Sequence, residues 1–467
     1  MERAASFLIR HPNTIGIHTM DDTFAHLTQA MLDAAQRAGA DAADAIVIEN
    51  ASVNVDVRDG KLEQTERAEG REIGIRALVG HRQACVAASD TAPETLVEMA
   101  TRAVAMARAA PEDPTIGLAE AAQLSPVRDG DALDLHDPTP DPHPTTLEDI
   151  ARRAEAAALA IGGVSQVQSA SAGFARWRFH MAATNGFSGG YARSNHAVSC
   201  IAITGEGLTM ERDYDSDSRS HAADLMSPDH IGRTAGERAV ARAGARKPPT
   251  GAFPVLYDER ISASLIGHLV AACSGAAIVR GASWLRDALG ELVLPPDLTL
   301  TEDPHRKRVS GSSPFDGEGI ATMPRDIVKN GVLCGWTLDL GTGRKLGLPS
   351  TGNATRGAAS PPYPSIGNLT LTPGGVTQAQ LMADMGRGLL VTAMLGASIN
   401  PTTGDYSRGA AGFWVENGEI AYPVNECTIA GNLRSMLQTL RPANDARPYR
   451  SRVIPSLLVE GLTIAGE

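Results

Sequence analysis

Proline decides how this chain is divided. Pro111 to Pro144 is a stretch studded with Pro and Asp that ends in Asp137-Pro-Thr-Pro-Asp-Pro-His-Pro144, and Arg246-Lys-Pro-Pro-Thr-Gly251 marks a second break. Proline fixes φ and brings no N–H, so neither run fits inside a helix or a central strand. At roughly 150 residues per domain, a chain of this length suggests about three units, or two if one is a large β-rich domain. The 467 residues read as an N-terminal extension over 1–20, a first α+β unit over 21–110, a Pro/Asp-rich linker over 111–146, a second α+β unit over 147–246 and a β-rich domain over 247–467.

Periodicity fills these blocks. Phe24, Leu27, Met31 and Leu32 recur at helical spacing across Asp22 to Arg37, and a second helix is expected from Pro93 to Ala109. Strand-like runs cover 45–49, 52–58, 71–79 and 83–88, with Asp59-Gly60 supplying the positive φ values of a tight hairpin. Helix resumes at Thr145-Thr146-Leu147-Glu148, a capping-box pattern, then strands flank Asn185-Gly186 and Ser227-Pro228 opens another helix. Beyond Gly251 come a strand over 253–257, an uncharged helical run from Ile261 to Val279, hairpin signals at Asn330-Gly331 and Asn417-Gly418, and short helices over 377–387 and 428–440. The expected class is α+β: an N-terminal α/β-type sandwich half with antiparallel strands and a C-terminal, mostly antiparallel β domain with a few helices.

Composition removes several functions. A net charge of −12 repels a polyanion, because nucleic-acid binding draws on Lys and Arg displacing phosphate counterions; nucleic acid is not an expected partner. Cys85, Cys200, Cys273, Cys334 and Cys427 are scattered without a Cys-x-x-Cys pair, as in a reducing cytoplasm. Phe7-Leu8-Ile9 is too short for the apolar core of a signal peptide. Ile261 to Val279 is diluted by Ser262, Ser264, Gly267, His268, Ser274 and Gly275, so it reads as a buried helix, and no membrane partner is expected.

Candidate chemistry is sparse. None of the twelve histidines precedes a Glu, and none follows His305, so a self-contained zinc site with a general base beside it has no imidazoles to build from. Gly186-Phe187-Ser188-Gly189-Gly190 fits a nucleophile-elbow pattern, but Ser188 follows Asn-Gly and precedes a strand, where a hairpin turn is the better reading. Asp213, Asp215 and Asp217 open like a calcium loop whose sixth position is Ser218 and twelfth Asp224, leaving a solvated acidic strand or loop. Gly341-Thr-Gly-Arg-Lys-Leu-Gly347 lacks the spacing of a phosphate loop and reads as a flexible or substrate-facing loop. His268 is a lone core or interface histidine, and Asp316 with Glu318 places two carboxylates in one Gly-rich loop, the arrangement of an acid/base pair or of an ordinary turn.

Longer motifs carry a family resemblance from about Asp22 onward. Arg280-Gly-Ala-Ser-Trp-Leu285, Ser313-Pro-Phe-Asp-Gly-Glu-Gly319, Ser350-Thr-Gly-Asn-Ala-Thr-Arg356, Asn400-Pro-Thr-Thr-Gly-Asp-Tyr-Ser-Arg-Gly409, Gly412-Phe-Trp-Val-Glu-Asn-Gly418 and Tyr422-Pro-Val424 follow one another. In this order they resemble the TldD/TldE (TldD/PmbA) metallopeptidase family, and its TldE/PmbA branch in particular. TldD-like members carry His-Glu-x-x-x-His on a helix shortly before an Arg-Gly-x-Ser run. Counted back from Arg280, those His frames fall on Ile266 and Ala271 and the Glu frame on Gly267. The catalytic members also offer a Cys near the C-terminus, and 442–452 contains none.

The resemblance implies a cytoplasmic, non-catalytic subunit without catalytic or metal-binding residues or a cofactor of its own. Zinc is expected in a TldD-like, metal-bearing partner, and the substrate is a small unfolded polypeptide. The alternative is a homo-oligomeric peptide-binding or regulatory protein, a homodimer in isolation. A stand-alone hydrolase using Ser188 or the Asp316/Glu318 carboxylates ranks last, since neither shows a base or orienting partner in sequence. Candidate substrate or interface contacts are Arg280, Ser283, Asp316, Glu318, Asn353, Arg356, Asp405 and Arg408, for which loop-holding hydrogen bonds are an equal reading.

Overall fold

In the computed structural model of the chain, residues 17–466 are described, so most of the expected 1–20 extension lies outside the described residues. Six strands form the N-terminal sheet: β1 (Ala42–Arg58), β2 (Lys61–Val79), β3 (Arg82–Ala88), β4 (Val164–Ala183), β5 (Ser188–Thr204) and β6 (Glu211–Arg219). Their order is β3-β2-β1-β4-β5-β6, and every pair is antiparallel. The two α+β units expected on either side of the proline run are therefore halves of one sheet, joined where β1 lies against β4 from Asp44↔Ala183 to Val57↔Ala170. The runs expected at 45–49 and 52–58 are one strand, because Asn50 and Ala51 keep pairing, with Gly70 and Glu69. Asp59 and Gly60 take the expected positive φ, 53° and 68°.

Helices α1 (Ile17–Ala38), α2 (Pro93–Ala109), α3 (Pro144–Leu159) and α4 (Pro228–Ala241) cover one face. Strand alternation supplies the core: Val47, Ile73 and Ile75 pack under Met31, Ala35 and Met99, while Val198 and Cys200 pack under Ala154, Ile231 and Ala235. The helix at 144 starts differently from expectation. Its N-cap is His143, whose Nδ1 accepts from the Thr145 amide at 3.3 Å, and Glu148 pairs with Arg152 instead of closing a capping box. Pro144 at the first position, where its missing N–H costs nothing, moves the start back.

The C-terminal strands are β7 (Gly251–Tyr257), β8 (Leu300–Glu302), β9 (Arg325–Lys329), β10 (Val332–Leu333), β11 (Ala354–Thr355), β12 (Tyr363–Pro364), β13 (Leu369–Leu371), β14 (Gly388–Ile399), β15 (Asp405–Glu416), β16 (Glu419–Asn432), β17 (Arg441–Pro442), β18 (Arg452–Val453) and β19 (Leu457–Ala465). The larger sheet runs β16-β15-β14-β7-β19-β17 and closes through a further β16 to β19 pairing. Tyr257, Leu265, Ile266 and Trp414 lie in its core. A smaller sheet, β10-β9-β8-β13-β18, packs beside it.

Three local expectations change. The uncharged run is two helices, α5 (Glu259–Ala272) and α6 (Gly275–Val279), broken where the Cys273 carbonyl and the Gly275 amide bond Thr337. Gly341 to Gly347 is no flexible loop but helix α7 (Leu340–Leu346), opened by a reciprocal Asp339/Thr342 cap and stopped by Gly347 at φ 67°. Helix α8 (Gln378–Met385) falls where expected, but 428–432 belongs to β16, and α9 (Leu433–Gln438) starts only after Asn432 caps it.

The proline-rich segment is a strap held between the two halves. Its Ser125 amide donates to Gly319, its Leu133 carbonyl accepts from Arg308, and its Leu135 carbonyl accepts from Ser194. Asp137 accepts from the Ala222 amide at 2.8 Å and stands 3.2 Å from His196 Nε2. Burial works against its charge, yet the Ala222 and Thr139 hydrogen bonds and His196 hold this carboxyl down to about 2.

Candidate functional site

The face of the N-terminal sheet opposite its helices meets the C-terminal domain at one end. Alternation decides which side chains point there. On β4, Arg178 and His180 turn toward α1, with the Arg178 guanidinium 5.2 Å from the Phe24 ring and His180 Nδ1 3.1 Å from Thr28 Oγ1. Trp177, Phe179 and Met181 therefore face the other way. On β5 their partners are Arg193 opposite Trp177 and Tyr191 opposite Phe179. Against them stand the Ser310–Gly317 and Thr351–Arg356 segments, leaving a cavity of about 700 Å³, within the range of ligand sites.

Four of the sequence candidates converge on this junction. Asp316 Oδ1 accepts from the amides of Glu318 and Ile320, both at 2.9 Å, and its Oδ2 accepts from Ala354 at 3.0 Å. Glu318 Oε2 accepts from the Leu340 amide at 2.8 Å. Burial pushes both carboxyls up, and Asp316 beside it adds to the rise of Glu318, to about 8. Asn353 Nδ2 donates to both oxygens of Glu302, at 2.9 and 3.1 Å. Arg356 forms an ion pair with Asp44 of β1, and Asp44 Oδ2 also accepts from Arg76 Nε at 2.6 Å. Burial lowers both arginines, Arg356 to about 10. The approach is close: a Cβ on Gly74 would lie 2.2 Å from the Ala358 carbonyl oxygen, so only glycine lets this segment rest on β2.

The other four candidates lie elsewhere. Ser283 is a buried turn residue, donating to the Ala272 carbonyl at 2.6 Å and accepting from the Leu285 amide at 3.0 Å. Arg280 is exposed just after α6. Asp405 holds a loop through Thr403 Oγ1 at 2.6 Å and Asn432 Nδ2 at 3.1 Å, which lower its carboxyl, and Arg408 Nε donates to Gly396 at 2.7 Å.

Two expectations about acidic and nucleophilic residues change. Asp213, Asp215 and Asp217 sit on β6 but are buried, not solvated. Arg260 reaches Asp213 at 2.9 Å, Arg238 reaches Asp215 at 2.7 Å and Arg219 reaches Asp217 at 2.9 Å. Ser188 begins β5 after the expected turn, yet it has an imidazole neighbour that sequence spacing did not reveal, His180 Nε2 at 3.4 Å. That pair lies on the helix-covered face, away from the cavity.

The wall residues Trp177, Phe179, Tyr191 and Arg193, and the lock residues Asp44, Arg76 and Glu302, were missed. The signal for the wall was present as alternation on both sides of Asn185-Gly186; nothing in the sequence marked the lock, whose members lie far apart.

Three family models match in order: PmbA/TldA metallopeptidase domain 1 over residues 43–107, the central domain over 137–243 and the C-terminal domain over 250–466. The chain belongs to the PmbA/TldD metallopeptidase family. Metalloprotease PmbA of Escherichia coli O157:H7 is 34% identical over 91% of this chain and 93% of its own length. A PmbA homolog of Haemophilus influenzae is 33% identical over 93% and 94%. A solved structure from Bacteroides thetaiotaomicron, carrying the label of a DNA gyrase modulator, superposes with a TM-score of 0.88 at 27% identity, over 96% of this chain and 99% of that one. TldE from Thermococcus kodakarensis, 20% identical, shares the fold with a TM-score of 0.82 over 94% and 100%.

The family implies a metal, and α5 is where the resemblance places its ligands. Ile266 is fully buried in the hydrophobic core, Gly267 has no side chain and Ala271 is an exposed methyl. None of them has a lone pair to give. The nearby imidazole of His268 packs edge-on against Tyr406 at 5.8 Å, and burial, with Arg408 beside it, lowers its pKa; a cation there would meet the Arg408 charge. Among the described residues no three His, Cys, Asp or Glu side chains are grouped to hold a metal ion. The residues present do not fit the metal. No helix among the described residues is long and apolar enough to cross a membrane.

Proposed function

We propose that this chain is the TldE-type, metal-less subunit of a heteromeric TldD/TldE metallopeptidase that acts on small unfolded polypeptides. The observation that carries the reading is the chemistry of α5: a chain whose relatives are named metalloproteases presents hydrocarbon at Ile266, Gly267 and Ala271, where the catalytic pattern needs His, Glu and His. Zinc and the water it activates then belong to a TldD-like partner, and this chain contributes binding surface and a wall of the chamber. The compartment that suits it is the cytoplasm, in keeping with five free thiols, three of them, Cys200, Cys273 and Cys427, pushed by burial to about 12, 12 and 11.

The test is cleavage of an unstructured peptide by this chain, by a TldD-like relative from the same genome, and by the two mixed, each with and without a chelator. The expected result is chelator-sensitive cleavage in the mixture that exceeds the relative alone. Cleavage by this chain alone, or a relative equally active without it, overturns the reading.

A further inference from the structure

We propose that the junction cavity is a binding site for the C-terminal carboxylate of a peptide, with Arg193 as the anion partner and the Trp177, Phe179 and Tyr191 wall as the seat of an apolar last side chain. The choice of a peptide as ligand rests on the function proposed above; the carboxylate and the apolar group are read from the cavity itself.

Charge accounting points to the anion. Four charged residues line the cavity. Glu302 is engaged by Arg325 Nε at 2.9 Å, by Asn353 and by the Gly367 amide at 2.8 Å. Asp316 takes three backbone amides, and Arg356 is paired with Asp44. Arg193 differs from all three. Its Nη1 donates to the Ser310 carbonyl, and its Nη2 donates to the Ser312 carbonyl and, at 3.2 Å, to Tyr191 Oη. Those acceptors are neutral, and among the described residues no carboxylate lies within ion-pairing distance of it. Two of the five N–H groups of a guanidinium remain for a ligand. The two left are Nε–H and one Nη1–H, both Nη2 hydrogens being committed, so a carboxylate is held by single N–H donors and by the unpaired positive charge, and carbonyls that already fix the side chain reduce the ordering cost of binding.

The aromatic wall supplies the second half of the recognition. Trp177 is 42% exposed at the cavity, an unusual position for so large an apolar group. Phe179 and Tyr191 continue it, their rings 5.5 Å apart, and Phe315 closes it edge-on to Tyr191 at 5.5 Å. Because Arg193 stands directly across the ladder from Trp177, an acid bound at the guanidinium places its adjoining side chain on the indole.

Trp177 also provides the readout, since Trp284, Trp336 and Trp414 are only 3%, 5% and 0% exposed and acrylamide quenching of the whole chain reports mainly on the indole in the cavity. The probes are an unstructured pentapeptide ending in Phe, its C-terminal amide, and N-acetylphenylalanine. Saturable protection by the free acid is expected, at least tenfold weaker for the amide, and lost in Trp177→Phe. Arg193→Gln is expected to bind acid and amide alike. The acid-to-amide comparison needs no variant, so a poorly folding R193Q does not blunt the test. Equal protection by both peptides, or by neither, overturns the site. N-acetylphenylalanine binding as tightly as the pentapeptide overturns the peptide in favour of a small aromatic acid. A mixture with the TldD-like relative that cleaves the peptide while this chain shows no protection sinks the site and leaves the subunit reading intact; protection without cleavage does the reverse.

Discussion

The domain junction and the α5 face are both built from family motif segments, and they use polar residues in opposite ways. At the junction, Asp44, Arg76, Glu318, Asn353 and Arg356 are buried and bonded, and the Arg356–Asp44 ion pair joins the two halves of the chain. At α5 the positions where the resemblance places metal ligands are an isoleucine, a glycine and an alanine, and Arg280 and Asp405 lie at the surface. Gly-rich polar motifs in one family thus do not mark a single kind of place. Those near residues 316 and 353 assemble an intramolecular lock with a cavity beside it, and those near 280 and 405 shape turns close to a helix with no ligand side chain at Ile266, Gly267 or Ala271.

The comparison breaks most visibly at Asp44. This carboxylate stands between two buried arginines, so Asp44→Asn takes from both guanidiniums the carboxylate that pairs with them. Removal of one partner of a buried ion pair costs about 3–5 kcal/mol, and a loss of that size is expected in urea denaturation of the isolated chain. A loss below about 1 kcal/mol, the value of a surface pair, would mean that the junction is wet and that the lock is no different in kind from the surface motifs.

Glu318 sharpens the same contrast through pH. Its folded pKa is raised from 4.5 to about 8, chiefly by burial, so the native chain keeps a proton that the unfolded chain has released. The stability this provides is complete below the unfolded value and declines as pH rises from about 4.5 through about 8. Glu318→Gln keeps an uncharged acceptor for the Leu340 amide and removes the titration. Tm measured in steps from pH 5 to 8 is expected to fall less steeply in the variant than in the parent. Parallel curves would show that Glu318 is not the proton holder.

How much of this was legible beforehand follows from how local each feature is. Asp59-Gly60, Asn330-Gly331 and Asn417-Gly418 announced their hairpins because the required positive φ is a property of two adjacent residues. The helical face of Phe24, Met31 and Leu32 was equally plain. The continuity of β1 was not, since Asn50 and Ala51 look like a break and are kept in strand by partners on β2 and β4. Neither was the burial of Asp213, Asp215 and Asp217, whose arginines come from Arg219, Arg238, Arg242 and Arg260, spread over three elements. The candidate site divided in the same manner. Asp316 and Asn353 were found as motif members, whereas Arg193 and Trp177 acquire their meaning only once β4, β5 and two distant loops face one another.

Gly267 gives the smallest effect and tests the other side of the comparison. It sits in the interior of α5, and a Cβ built there meets no heavy atom within 4 Å, unlike Gly74 in the junction, which has Ala358 at 2.2 Å. A glycine in mid-helix costs about 0.5–1 kcal/mol relative to alanine, so Gly267→Ala is expected to stabilise the isolated chain by that amount in urea denaturation. Destabilisation would mean that the α5 face is as crowded as the junction, and the distinction between the two regions would fail. The same variant reports on the subunit reading. On the subunit reading proposed above, a side chain of the TldD-like subunit would use the open space over Gly267, and filling it with a methyl is expected to weaken that association while the chain itself becomes more stable. These two changes run in opposite directions, so a mere folding defect cannot produce both.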